Sequence, residues 1–123
     1  MLTWASKVRV FVHRGPADMR KSYDTLAGLV QTQMKSDVLA GDLYLFIGRD
    51  RRRAKILYFD GTGMCILQKR QARGRFADVW ARAELTPSEL SLFLEGSMQV
   101  GRVSLSPPPL RREELSLRPD DFL

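Results

Sequence analysis

The stretch "LYLFIGRDRRRAKILYFDGTGMCILQKR", at positions 43–70, decides the fold. It contains three apolar runs separated by two short polar segments. The second segment includes Asp60-Gly61, a dipeptide that strongly favours a hairpin turn. The pattern therefore predicts three consecutive antiparallel strands, and the arginine-rich residues 49–53 become the first hairpin loop. The strands are predicted at 43–48, 54–60 and 64–70.

Before this meander, the pattern predicts one strand and one helix. "VRVFVH", at 8–13, alternates β-branched residues with Arg9, Phe11 and His13, as a strand does. A helix is then expected from Pro16, at its first position, to about Lys35. Its apolar residues recur at steps of four or three, which gives one core-facing side. They are Met19, Tyr23, Leu26, Val30 and Met34.

After the meander, "LTPSELSLFLEGS" predicts a second helix that ends near Gly96. Thr86 and Glu89 have the spacing of a capping box, and Leu90, Phe93 and Leu94 form the apolar face. Residues 71–84 have no clear pattern, although Phe76, Val79 and Trp80 can form one apolar turn against the core.

Together these elements predict an α+β fold in β-α-β-β-β-α order. We expect an antiparallel sheet of about four strands with the first helix packed on one face. Residues 1–105 are predicted to form a single domain. Residues 106–123, which include "SPPPL", are predicted to form an extended C-terminal tail.

The positive charge of the chain is concentrated in residues 49–75. The 123 residues have a net charge of +6, but this segment alone has +7, which leaves −1 for the other 96 residues. Such asymmetry favours a polyanionic partner, most often nucleic acid. A basic face that serves only solubility is the alternative. The nine cations are Arg49, Arg51, Arg52, Arg53, Lys55, Lys69, Arg70, Arg73 and Arg75.

Antiparallel pairing should bring these cations to one end of the sheet. The third strand ends alongside the start of the second, so residues 69–75 return to the hairpin loop 49–53. Arginine suits phosphate, and we predict that this surface binds DNA phosphates. Phosphate contacts position a protein and base-edge contacts specify sequence, and a basic hairpin can make either kind. Arg20 and Lys21, expected in the first turns of the first helix, join the predicted set. Ordinary helix-surface charge is the alternative for these two.

No pattern in the sequence predicts catalysis, a metal site or a cofactor. Asp18 and Asp24 are six residues apart and should lie on different helix faces. Asp60 is interpreted as a turn residue, and Cys65 as a small residue packed in a strand. A single cysteine and the absence of an 18-residue apolar span favour a cytoplasmic protein that does not enter the membrane. The oligomeric state stays open, with a homo-oligomer among the possibilities.

Four stretches together resemble a known family over residues 8–97. They are "GPADMRKSYDTLA" (15–27), "KILYFDGTGMCILQKR" (55–70), "GRF" (74–76) and "LTPSELSLFLEG" (85–96). They are similar to the TnpB accessory protein, from the second open reading frame, of the bacterial insertion-sequence family sixty-six. Phe59, Met64, Cys65 and Gln68 stand where the family carries large aromatic residues, which implies less surface for base stacking.

The resemblance implies a role in DNA transposition beside an element-encoded transposase, and the lack of a catalytic pattern in the residues makes a non-enzymatic role our expectation. Our leading hypothesis is an accessory protein that contacts DNA through its basic hairpin and sheet end. The second hypothesis is an adaptor that docks the transposase and does not bind DNA itself. The family features that carry over by resemblance are Asp18, Met19, Arg20, Lys21 and Ser22 in a first motif, and Lys55, Tyr58, Asp60, Gly61, Thr62, Gly63, Lys69 and Arg70 in a second.

Overall fold

A five-stranded sheet separates two helices in the computed structural model, which describes residues 7–96 and the backbone of 99–100 and 103–104. The sheet order is β4-β3-β2-β1-β5. The strands are β1 (Val10–Val12), β2 (Leu43–Ile47), β3 (Arg53–Phe59), β4 (Met64–Arg70) and β5 (Glu84–Leu85). The helices are α1 (Tyr23–Thr32) and α2 (Pro87–Glu95), and a 3-10 turn spans Val38–Ala40. A separate hairpin pairs β6 (Gln99–Val100) with β7 (Val103–Ser104).

The predicted α+β class is confirmed, but the predicted four-stranded antiparallel sheet is wrong in two respects. β1 pairs in parallel with β2, with Val10 opposite Leu43. The connection through α1 is long enough to return the chain to the same end of the sheet, as parallel neighbours require. A fifth strand, β5, pairs antiparallel with β1, so that Leu85 also lies opposite Val10. The chain segment between β4 and β5 therefore crosses from one edge of the sheet to the other.

The antiparallel meander is confirmed. β2 pairs with β3, and β3 pairs with β4 along its whole length, from Arg53 opposite Arg70 to Phe59 opposite Met64. At the second turn, the amide of Asp60 donates to the carbonyl of Gly63 at 3.1 Å. The local signals were sufficient here because short hairpins fix the strand register through their turns.

Helix α1 is shorter than predicted. Pro16 does not start it, because the amide of Ala17 donates to the carbonyl of Ile47 at 2.9 Å and ties this segment to the end of β2. A turn at Asp18 follows, and the helix begins only after Ser22. The prediction that Arg20 and Lys21 lie in its first turns is therefore wrong. Both residues precede the helix.

The sheet has a separate apolar core on each face. The core on the α1 side and the core on the α2 side use alternate residues of the same strands, because successive strand residues face opposite sides of a sheet. Each fully buried large side chain contributes about 1.5–3 kcal/mol relative to exposure. The α1 side includes Met19, Leu26, Val30, Tyr44, Phe46 and Leu57, and the α2 side includes Leu45, Ile56, Phe76, Val79, Leu90 and Phe93.

Helix α2 starts and stops as predicted. The Thr86 hydroxyl accepts from the Glu89 amide at 3.1 Å, and the Thr86 amide donates to the Glu89 carboxylate at 2.9 Å. These two bonds satisfy amides that the first helical turn leaves unpaired. Gly96 ends the helix at φ 73°, a conformation that favours glycine. The predicted domain end at 105 and the tail 106–123 lie outside the described residues.

Candidate nucleic-acid interface

The hairpin between β2 and β3 forms one end of the sheet. The amide of Arg51 donates to the carbonyl of Gly48 at 2.8 Å, and Arg51 adopts φ 56°. The carboxylate of Asp50 accepts from the amide of Arg52 at 3.0 Å. This Asx-type contact stabilises the tip of the hairpin.

The chain returns to this hairpin after β4, as the antiparallel geometry predicted. Arg53 and Arg70 are directly opposite one another. The amide of Gln71 donates to the carbonyl of Arg52 at 2.7 Å, and the amide of Phe76 donates to the carbonyl of Arg51 at 2.6 Å. Residues 49–53 and 69–75 are therefore one contiguous region, which we call the basic end of the sheet.

The cations of this region divide between the two faces of the sheet. Opposed residues share a face, and successive residues alternate. Arg53 and Arg70 therefore lie on the α1 side, whereas Lys69, opposite Ala54, lies on the α2 side. A ligand that covers the α1 side would meet both arginines at once.

Lys55 does not belong to the exposed region. Its side chain is only 7% exposed, beneath the segment that leads into α1. Its ammonium donates to the carbonyl of Lys21 at 2.6 Å, a contact between residues 34 positions apart. The predicted place of Lys55 on the basic surface is wrong, because the ammonium holds the start of α1 against the sheet.

Two further predicted cations have internal hydrogen bonds. The Arg51 guanidinium donates to the carbonyl of Phe76 at 3.2 Å and is half-buried. The Lys69 ammonium donates to the carbonyl of Leu94 in the last turn of α2, where a positive charge suits the helix dipole. The end of α2 also packs on this region, since a Cβ at Gly96 would lie 2.8 Å from Nε2 of Gln71.

Arg20 is paired, and its partner is Asp18. The Arg20 guanidinium donates to both carboxylate oxygens, at 3.0 and 2.9 Å, and the Arg20 amide donates at 2.9 Å. These hydrogen bonds hold the pKa of Asp18 well below its usual range. The guanidinium of Arg20 has the larger effect on this pKa, and the amide of Arg20 has the smaller one. Because the Arg20 side chain is 89% exposed, its outer edge still faces solvent.

A cleft of about 670 Å³ lies between residues 16–20 and the β2–β3 hairpin. Its charged lining consists of three guanidinium groups and two carboxylates, from Arg20, Arg49, Arg53, Asp18 and Asp50. Both carboxylates already accept hydrogen bonds, Asp18 from Arg20 and Asp50 from the Arg52 amide. The sequence prediction missed this cleft, because it depends on the distant pairing of Ala17 with Gly48.

Six predicted cations have exposed side chains that make no hydrogen bond or ion pair within residues 7–96, although the charge of Lys21 acts on the nearby Asp18 carboxylate. They are Lys21, Arg49, Arg52, Arg53, Arg70 and Arg75. Arg73 is also exposed. Neighbouring guanidinium charges repel one another at this density, so an anion placed between them would be bound favourably.

The Asp60 carboxylate stabilises the second turn, and the Cys65 thiol of β4 lies 3.5 Å from it. The Asp60 carboxylate accepts from the amides of Thr62 and Gly63, each at 2.9 Å, which lowers the pKa of Asp60 and confirms its role as a turn residue. Burial raises the pKa of the half-buried Cys65 thiol, and the nearby Asp60 carboxylate raises it further. Among the described residues, no three His, Cys, Asp or Glu side chains converge to hold a metal ion. No helix there has the length and hydrophobicity that a bilayer crossing needs.

Comparison with known proteins finds one family and two curated relatives. The family model described as "IS66 Orf2 like protein" matches residues 8–103. The chain is 40% identical over 101 residues to the uncharacterized protein y4hO of Sinorhizobium fredii (strain NBRC 101917 / NGR234), which covers 78% of this chain and 86% of that protein. It is 28% identical over 92 residues to y4jC of the same strain, covering 72% and 79%. No solved structure matches.

Proposed function

Because the chain belongs to the IS66 Orf2-like family, a family of insertion-sequence accessory proteins, we propose that it supports transposition by binding DNA phosphates. The proposed role is non-enzymatic, and the proposed contact is the basic end of the sheet. The observation that carries the contact is the pairing of Arg53 with Arg70, which joins two basic segments that are separate in the sequence.

The α1 side of this region offers the best arrangement for a DNA strand. Arg53 and Arg70 share this face, and Arg49 lines the adjoining cleft. Lys21 lies above the same face, since its carbonyl accepts from Lys55 of β3. Planar guanidinium groups bind phosphate oxygens in pairs, and an exposed ammonium adds a point charge.

The start of α1 supports the same orientation. Its N-cap residue, Ser22, makes no side-chain hydrogen bond to the first turn, so the helix dipole is not capped by a side chain. This end of α1 lies beside Lys21 and above Lys55. The positive end of a helix dipole favours phosphate, although the exposed carboxylate of Asp24 in the first turn offsets part of this effect.

The decisive test is the salt dependence of DNA binding by matched charge variants. The test variant changes Arg53 and Arg70 to Gln. The control changes Lys7 and Lys35 to Gln, which removes the same charge from exposed residues outside the basic end. Fluorescence anisotropy with a labelled duplex and with a labelled single strand would be measured over a range of salt concentrations.

We expect binding by the unchanged chain that weakens steeply as salt increases. Each lost phosphate contact should reduce the slope of log affinity against log salt by about 0.9 on duplex DNA. The Arg53/Arg70 variant should therefore lose roughly two units of slope as well as affinity. No binding at low salt, or an equal loss in the Lys7/Lys35 control, would refute the proposed contact.

Two other results would replace the proposal. Co-purification with the element's transposase after nuclease treatment, by a chain that does not itself bind DNA, would favour the adaptor hypothesis. Metal-dependent DNA cleavage that is lost in Asp60→Asn would refute the non-enzymatic role. We do not expect the second result, because the Asp60 carboxylate already accepts hydrogen bonds from its own turn.

A further inference from the structure

We propose that the outer edge of β4 pairs with β4 of a second copy of the chain, so that two sheets join in an antiparallel, two-fold symmetric dimer. β4 is the edge strand of the sheet and has seven residues. The other edge strand, β5, has only two residues. A long open edge presents a row of unpaired backbone groups, which is a template for strand pairing.

The hydrogen-bond pattern identifies the backbone groups on this edge. The bonds between Asp60 and Gly63 and between Arg52 and Gln71 mark the β4 positions that bond to β3. In an antiparallel ladder these positions alternate with ones that face away. Met64, Ile66, Gln68 and Arg70 therefore direct their amides and carbonyls outward, and no described residue pairs with them.

The first four side chains of β4 are apolar and suit contact with another protein strand, whereas the last three are polar or charged. Met64, Cys65, Ile66 and Leu67 are only half-buried within one copy, whereas the last three residues are exposed and polar or charged. Edge strands that must stay single usually carry charge along their length. Here four consecutive apolar residues gain burial if a second strand covers them.

The charges on β4 favour an antiparallel arrangement of the two strands, in one particular register. When Ile66 lies opposite its own counterpart, Met64 faces Gln68 and Cys65 faces Leu67 of the other strand. Arg70 then lies just beyond the end of the second copy's β4, beside the turn that contains its Asp60. A parallel arrangement would instead place the two Lys69-Arg70 ends side by side, and like charges opposite one another destabilise a strand pair.

The first test measures mass by sedimentation equilibrium of the full chain over a range of concentrations. We expect the mass to rise from 14.0 kDa toward twice that value. Gln68→Pro removes an outward amide and no bond to β3, so it should abolish the rise, whereas Gln68→Ala should not. Ile66→Lys places two charges opposite each other and serves as a second variant, with Ile66→Val as its control.

The register is tested by disulfide formation in a Cys65→Ser background. Directly opposite residues in a hydrogen-bonded pair have Cα atoms about 5.5 Å apart, within the range that a disulfide spans. Ile66→Cys should therefore form a covalent dimer under mild oxidation. Gln68→Cys should not, because its counterpart lies opposite Met64 in this register.

Several outcomes would overturn the proposal. They are a mass of 14.0 kDa at all concentrations, a dimer that persists in both Gln68→Pro and Ile66→Lys, and equal crosslinking of positions 66 and 68. Hydrogen exchange would show whether something other than a second copy covers the outer edge of β4. Protection of the outward amides in dilute monomer would mean that a different part of the chain covers the edge, and protection only with transposase would mean that the partner is the transposase.

Discussion

The addition of a single methyl group at Gly48 should have a measurable effect on the stability of the fold. It ends the buried run of β2, and its backbone bonds to Arg53 and Arg51 set the shape of the hairpin. A Cβ built on Gly48 would lie 2.8 Å from Cγ of Met19, closer than real Cβ contacts, and Met19 is itself buried. Gly48→Ala therefore requires the Met19 side chain or the hairpin backbone to shift.

The expected magnitude follows from two opposing terms. The backbone of Gly48 does not have a positive φ, so alanine can adopt it and should stabilise the folded state by about 0.4–1 kcal/mol through the unfolded chain. Overpacking a buried side chain costs about 1–3 kcal/mol. The steric cost is larger, and we expect Gly48→Ala to lower the free energy of unfolding by roughly 1–2 kcal/mol.

Urea unfolding, followed by circular dichroism, measures this change. Gly28→Ala is the matched control, because a Cβ at Gly28 would meet no atom within 4 Å apart from its chain neighbours and the backbone of α1 itself. That variant should gain about 0.5–1 kcal/mol. The steric explanation also predicts that Gly48→Ala becomes neutral or stabilising in a Met19→Ala background. An equal loss in both backgrounds would refute it.

The other predictions concern α2 and use the same unfolding assay. Thr86→Ala should cost about 0.5–2 kcal/mol, because it removes the hydroxyl that accepts the Glu89 amide, whereas Thr86→Ser should cost less. Hydrogen bonds from Arg82 and from the Thr86 amide lower the pKa of Glu89, so its contribution is complete above the ordinary carboxyl pKa and is lost as the pH falls through the folded value. Glu89→Gln should therefore flatten the loss of stability in acid, and an unchanged profile would contradict this. Leu90→Ala should cost about 2–5 kcal/mol because Leu90 is fully buried, and a loss below 1 kcal/mol would mean that α2 packs loosely.

The sequence was sufficient for features that depend on neighbouring residues. The strand predicted at 54–60, the Asp60-Gly61 turn and the capping box of Thr86 are all present in the structure. Each depends on residues within a few positions of one another. The meeting of the Arg53 and Arg70 segments was predictable for a related reason, since two short turns determine the register of three strands.

Features that depend on distant residues were not predicted. β1 is parallel to β2 because the chain crosses over through α1, and a strand of alternating valines has no local sign of its neighbour's direction. The start of α1 is delayed because Ala17 bonds to Ile47. Lys55 resembled the arginines beside it, but its ammonium bonds to a carbonyl 34 positions away. The cleft beside Arg49 also depends on contacts between residues that are distant in the sequence.

The end of α2 has a practical consequence for anyone who attaches a tag or a label to this chain. The chain leaves α2 at Gly96, next to Gln71 and Lys69, whereas the start of β1 lies at the opposite end of the strands. A fusion or fluorophore joined close behind residue 96 would emerge beside the arginines and could block them. One placed ahead of residue 7 would leave that region clear for binding measurements.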